Sequence, residues 1–200
     1  MSRALRVVVV NGSPSRTSRT MGLASLVTTT LENSIDIDVH HVNVYALGPT
    51  FTGATRREEI SGHVEQEIRA VETADILVAA VPVYRASYPG MFKHFFDLVD
   101  QYGLANKPVI LVATGGSDRH ALVIEYALRP LFAFFQAATI PVGFYANAGD
   151  FDGALVLNSE VYSRIEVGIN DVLPILRAIS DDSTEARPDP SAGAVHRPNL

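Results

Sequence analysis

Arg6-Val-Val-Val-Val-Asn-Gly-Ser-Pro-Ser-Arg-Thr-Ser-Arg-Thr20 is the stretch from which the fold of this 200-residue chain can be read. Four valines in a row, with no polar alternation, describe a strand buried on both faces, as in a parallel sheet. The residues from Gly12 to Thr20 are small, hydroxylated and basic, and they lead into a helical pattern over 21–31. A strand, a hydroxyl-rich turn and a helix N-terminus together make an anion site. Backbone N–H groups and the positive end of the helix dipole face the ligand, and Ser, Thr and Arg donors complete the cradle. The loop has neither the Gly-x-Gly-x-x-Gly spacing of a dinucleotide site nor the Lys-Ser/Thr ending of a P-loop. A single phosphate monoester held by hydroxyls is the better fit.

Working outward, strand and helix patterns alternate along the chain, the signature of a parallel sheet wrapped by helices on both faces. Strands are expected over 6–10, 37–43, 76–80, 109–113 and 140–144, and helices over 20–31, 61–72, 90–102, 119–136 and 160–179. The fold class is therefore α/β, a flavodoxin-like three-layer sandwich with a five-stranded parallel sheet in the order 2-1-3-4-5. Ligands of such folds sit at the carboxyl ends of the strands, beside the topological switch point. Ile35, Ile37 and Val39 alternate with Asp36, Asp38 and His40, which makes the second strand an edge. One domain over 1–179 is expected, and the Pro- and Gly-containing stretch 180–200 reads as a flexible tail.

Composition narrows the function classes. A 47% hydrophobic content suits a folded protein, and a net charge of -6 gives no reason to expect nucleic acid. No apolar run approaches the length of a membrane span, and the N-terminus carries no signal-peptide pattern, so the cytoplasm is the expected compartment. The absence of cysteine removes thiol catalysis, disulfides and sulfur-ligated metals. His40, His41, His63, His94, His120 and His196 show no metal-ligand spacing, and no metal is expected. Ser87 lacks a nucleophile elbow.

Two further strand ends carry loops suited to the same ligand. Pro82-Val-Tyr-Arg-Ala-Ser-Tyr-Pro-Gly90 is rigid and aromatic, and Gly90 opens the next helix. A flat ring with acceptors on its edge could sit against Pro82, Val83, Tyr84 and Arg85, close to the positive end of that helix. Thr114-Gly-Gly-Ser117 ends the fourth strand, and Ser117 or Asp118 is positioned to cap a following helix. All three loops fall at one end of the sheet. A phosphate at one end and a flat heteroaromatic ring at the other suggest flavin mononucleotide (FMN).

Gly12-Ser-Pro-Ser, Ser18-Arg-Thr20, Pro82 to Gly90 and Ala113-Thr-Gly-Gly-Ser resemble the NAD(P)H-dependent FMN reductases. The branch that serves sulfonate monooxygenases is the most similar, through Leu128-Arg-Pro-Leu-Phe-Ala-Phe-Phe-Gln-Ala137 and Gly143-Phe-Tyr-Ala. The resemblance covers residues 6–176. It implies reduction of FMN by NADPH or NADH, release of reduced FMN to a flavin-dependent monooxygenase, and a homo-oligomer (dimer or tetramer). Carried onto this chain, Ser13, Ser18, Arg19 and Thr20 hold the phosphate. Pro82, Val83, Tyr84 and Arg85 line the ring, and Thr114, Gly115, Gly116 and Ser117 flank its other edge. No protein acid or base is needed, so no catalytic side chain is expected. The loop departs from many of these reductases in having Ser15-Arg16 where a single arginine is usual. A flavin-retaining quinone or azo reductase and a flavodoxin-like electron carrier stand as alternatives.

Pro130 lies inside a helical pattern, cannot donate, and opposes the carbonyl of Tyr126. A kink or a π-bulge is expected there. The similar reductases widen this helix beside the flavin, which implies that Tyr126 loosens the flavin and favours its transfer.

Overall fold

The valine run forms β1 (Leu5–Asn11), with Val7 and Val9 in one apolar layer and Val8 and Val10 in the other. The computed structural model describes residues 3–15 and 17–182. After β1 come α1 (Arg19–Glu32), β2 (Ile37–Asn43), a short α2 (Pro49–Thr52), α3 (Gly62–Thr73), β3 (Ile76–Pro82), α4 (Gly90–Asp97) and β4 (Pro108–Gly115). They are followed by α5 (Arg129–Phe134), β5 (Ala138–Thr139), β6 (Phe144–Asn147), a hairpin of β7 (Phe151–Asp152) and β8 (Leu155–Val156), and α6 (Ser159–Asp182).

The main sheet is parallel in the order β2-β1-β3-β4-β5, with β6 also paired to β4. This is the flavodoxin-like α/β arrangement. Helices α1 and α6 cover one face through Leu23, Val27, Ile165 and Ile169. Helices α3, α4 and α5 cover the other through Ile68, Phe92, Phe96 and Phe132. Burial on both sides explains why β1, β3 and β4 read as unbroken apolar runs, whereas the edge strand β2 alternates.

Three expected elements differ in detail. The fifth strand, expected over 140–144, is split into β5 and β6. Its register against β4 moves from Pro108↔Ala138 to Val112↔Phe144, which inserts two extra residues around Pro141. Pro141 has no N–H for the ladder, and Arg129 occupies the break by donating to the carbonyls of Ile140 and Pro141 at 3.0 and 3.1 Å. The helix expected over 90–102 stops at Asp97. Beyond it, the Asp100 carboxylate accepts from the Tyr102 amide at 2.8 Å, an Asx turn that competes with helix. The helix expected over 119–136 is three pieces: a 3₁₀ turn Asp118–His120, a π turn Ile124–Leu128, and α5. The π turn is the widening anticipated near Tyr126, and the Arg129 amide donates five residues back to Ile124. Helix α6 continues through Asp182, and residues 183–200 of the expected tail lie outside the described residues. Among the described residues no helix is long and apolar enough to cross a membrane.

Candidate functional site

The first loop starts from a buried asparagine. The Asn11 carboxamide donates to the Asn43 side chain at 2.9 Å and accepts the Ser13 amide at 2.8 Å, so β1, β2 and the loop are tied at one point. Gly12 follows because nothing larger fits. A Cβ there would lie 2.9 Å from a ring carbon of Phe92 and 3.0 Å from Val81. Ser13 Oγ accepts the Ser15 amide at 3.3 Å, and Ser18 Oγ accepts the Met21 amide at 3.2 Å as the N-cap of α1. Both hydroxyls keep their protons to donate. The amides of Arg19 and Thr20, the first two of α1, have no intrahelical acceptor. The Arg19 side chain is exposed and makes no ion pair among the described residues. Arg16 lies outside the described residues.

Thr20 is not a cap. Its hydroxyl is buried against that of Thr114, with the two oxygens 2.6 Å apart across 94 residues of sequence. Thr114 also accepts the Val83 amide at 2.7 Å through its carbonyl. One residue on β4 therefore joins the phosphate-type loop to both others, the juxtaposition that sequence could only infer from strand order.

In the second loop, Tyr84 and Ser87 exchange backbone hydrogen bonds at 2.8 and 3.1 Å. Arg85 and Ala86 between them are left-handed, with φ of 50° and 67°. This is the geometry of a type I′ turn, normally reserved for Gly, Asn or Asp. It leaves the Arg85 and Ala86 amides without an acceptor among the described residues. The Tyr126 hydroxyl reaches the Ala86 carbonyl at 3.3 Å, so the π turn touches the tip of this loop. Tyr126 is otherwise 54% exposed.

In the third loop, Gly115 is required by Tyr145, whose hydroxyl oxygen would stand 2.2 Å from a Cβ at position 115. The same hydroxyl donates to the Ser117 carbonyl at 2.6 Å. Burial pushes the Tyr145 phenol up, and the Asp118 and Asp150 carboxylates add to it, so it stays a neutral donor. Gly116 faces open space. Ser117 occupies the N-cap position of the 3₁₀ turn without a side-chain cap bond, and Asp118 instead accepts from the Asn147 carboxamide at 2.7 Å. Neither residue caps as the sequence suggested. Asn11, Tyr145 and Asn147 were absent from the expected set; the only trace of Asn11 was a polar residue closing an apolar run.

The donor set suits a phosphate monoester on the first loop: two hydroxyls with spare protons, two first-turn amides and an arginine without a carboxylate partner. The open space beside Gly116 and the free turn amides suit a ring edge. A groove of about 770 Å³ runs from Ala86 and Tyr88 past Phe96 to Tyr126 and Phe134; it adjoins the second loop and does not include the first. Among the described residues no three histidine or carboxylate side chains are arranged to hold a metal ion.

The family model described as NADPH-dependent FMN reductase matches residues 5–152. An NADH-dependent FMN reductase, SfnF, of Pseudomonas fluorescens is 42% identical over 175 residues, covering 88% of this chain and 94% of that protein. An FMN reductase (NADPH) of Pseudomonas aeruginosa is 38% identical over 181 residues, covering 90% and 97%. Among solved structures, the apo form of the NADH:FMN oxidoreductase EMOB superimposes with a TM-score of 0.74 at 28% identity, covering 96% of this chain and all of that one. The chain belongs to the NADPH-dependent FMN reductase family, oxidoreductases that use FMN and NAD(P)H.

Proposed function

We propose that this reductase holds FMN across the three loops and, once the flavin is reduced by NAD(P)H, passes it to a separate flavin-dependent monooxygenase in the cytoplasm. Ser13, Ser18, Arg19 and Thr20 bind the phosphate. The second loop, from Pro82 through Val83 and Tyr84 to Arg85, lies along the ring, and Thr114, Gly115, Gly116 and Ser117 lie along its other edge. FMN held by these residues would supply the redox chemistry, as acceptor of the hydride from NAD(P)H. The protein's part is positioning: rigid loops hold two rings in register and exclude other geometries. No side chain moves a proton in this account.

The observation that carries this reading is the Thr20–Thr114 hydroxyl pair together with the Val83–Thr114 bond, which put all three loops within one ligand's reach. Transfer to a partner is supported by the likeness to the sulfonate-monooxygenase reductases and by the π turn. Tyr126 modulates flavin release from the tip of the second loop. The exposed apolar side chains of Tyr84, Leu122, Tyr126 and Phe134 support self-association along the adjoining groove.

Gel filtration of FMN-loaded protein, followed by flavin absorbance, tests the release. Wild-type protein is expected to lose its flavin and Tyr126→Ala to retain more of it. A wild-type protein that stays yellow and turns over quinones by ping-pong kinetics would replace transfer with flavin retention.

A further inference from the structure

The described basic side chains divide into two sets. Arg3 and Arg6 are taken up by Asp75, and Arg56 by Glu59. Arg57 and Arg69 share Glu65. Lys93 pairs with Asp97 and Arg129 with Glu125. Lys107, Arg164 and Arg177 donate to the backbone carbonyls of Ala74, Tyr145 and Ser34. The second set is Arg19, Arg85 and Arg119, for which no acceptor occurs among the described residues. One lies on each of the three loops. In a chain of net charge -6, the described cations without an acceptor each follow the carboxyl end of a strand, β1, β3 or β4. Neither neighbouring acid makes an ion pair with them: Asp118 accepts from Asn147, and Glu125 pairs with Arg129.

Arg19, in the first turn of α1, accounts for the single phosphate of FMN. Arg119 and the guanidinium of Arg85 are then in excess of what the flavin needs, since Arg85 lies along the ring through its backbone. Arg85 is held in a left-handed conformation at the exposed tip of its turn, where Asn or Gly would cost less, and its side chain makes no hydrogen bond or ion pair among the described residues in return. Its turn is fastened by the Tyr84–Ser87 bonds and by Tyr126. Arg119 sits in a 3₁₀ turn fastened by Tyr145 to Ser117 and by Asn147 to Asp118. Both guanidinium groups are therefore carried on fastened backbone in loops assigned to the ring end of the site, and a planar guanidinium fork suits bidentate recognition of phosphate oxygens.

We infer that Arg85 and Arg119 bind phosphate groups of the nicotinamide dinucleotide and set its affinity. The inference rests on the flavin reading above, since the dinucleotide must lay its nicotinamide against a ring between the second and third loops. Both dinucleotides carry a diphosphate, and NADPH adds a 2′-phosphate, so two sources of the same chemistry are available.

The test uses FMN-saturated full-length protein, with equilibrium binding of NAD⁺ and NADP⁺ by calorimetry and KM for NADH and NADPH. Arg119→Gln is expected to weaken dinucleotide binding about tenfold while leaving the Kd for FMN in place, and added salt should erode the wild-type advantage. Arg85→Asn is expected to weaken dinucleotide binding similarly and to raise the Tm, because the turn loses its strain. Equal losses for both dinucleotides assign the arginines to the diphosphate, and a larger loss for NADP⁺ assigns them to the 2′-phosphate. Unchanged dinucleotide affinity in the double variant overturns the inference. So does a loss confined to FMN, which would make the arginines flavin ligands. The flavin reading fails separately, if Ser18→Ala and Arg19→Ala leave FMN affinity untouched.

Discussion

Replacing Thr114 with Val isolates the contact on which the site depends. Thr20 and Thr114 are 2% and 6% exposed and their hydroxyls lie 2.6 Å apart, so the single substitution leaves the Thr20 hydroxyl buried without its partner. Burying an unsatisfied hydroxyl costs about 1–3 kcal/mol, and for a domain of this size each kcal/mol lowers Tm by about 2–4 °C. A value near the middle predicts a fall of about 4–8 °C by calorimetry. Thr20→Val should cost a similar amount. The Thr20→Val/Thr114→Val double variant removes both polar groups while conserving shape, so much of the stability should return, with a coupling energy of about 1–2 kcal/mol. FMN affinity should not return with it, because the first loop is then tied to β4 only by apolar contact. The assay is thus a pair of measurements, Tm and Kd for FMN, on four proteins. Strictly additive Tm changes, or singly substituted proteins with native Tm and native FMN affinity, would refute the reasoning.

Other perturbations follow from the same geometry. Gly115→Ala places a methyl group 2.2 Å from the Tyr145 hydroxyl and should abolish FMN binding in a fluorescence titration. Pro130→Ala restores a backbone donor opposite Tyr126, and a narrower helix there is expected to slow FMN dissociation in stopped-flow experiments. The Arg57 guanidinium holds the Glu65 carboxyl down to about 2, against the opposing effect of burial, with Arg69 assisting. A lowered carboxylate pKa stabilises the fold above the unfolded value and loses that effect as pH falls through the folded one. This contribution should therefore fade between about pH 4.5 and pH 2, and Arg57→Leu should flatten that part of a pH–Tm profile.

How much could be read beforehand depended on whether a residue's role is local. The valine run of β1 was legible because burial on both faces leaves a direct mark on composition. Pro130 was legible because a missing N–H has a local consequence, and the π turn appeared where that argument placed it. Ser18 at the N-cap follows a local preference for serine before a helix, whereas the place of Thr20 is set by Thr114, 94 residues away. The fifth strand was misread because Ile140-Pro-Val-Gly-Phe144 is apolar enough for a strand, while the Arg129 side chain that fills the break comes from another element. Asn11, Tyr145 and Asn147 join distant parts of the site through Asn43, Ser117 and Asp118, each 28 or more residues away, and no local pattern shows such partners.

In the proposed function, the hydroxyls and arginine of the first loop read the flavin's phosphate. Comparing Kd for FMN with Kd for riboflavin, in wild-type protein and in Ser18→Ala/Arg19→Ala, tests it most directly. Hydrogen bonds to charged groups are worth about 1.5–3 kcal/mol each, so the wild type should prefer FMN by about 100-fold or more and the variant should lose most of that preference. Riboflavin affinity should be the same in both. A preference for FMN that survives the double substitution would contradict the account and place the phosphate elsewhere.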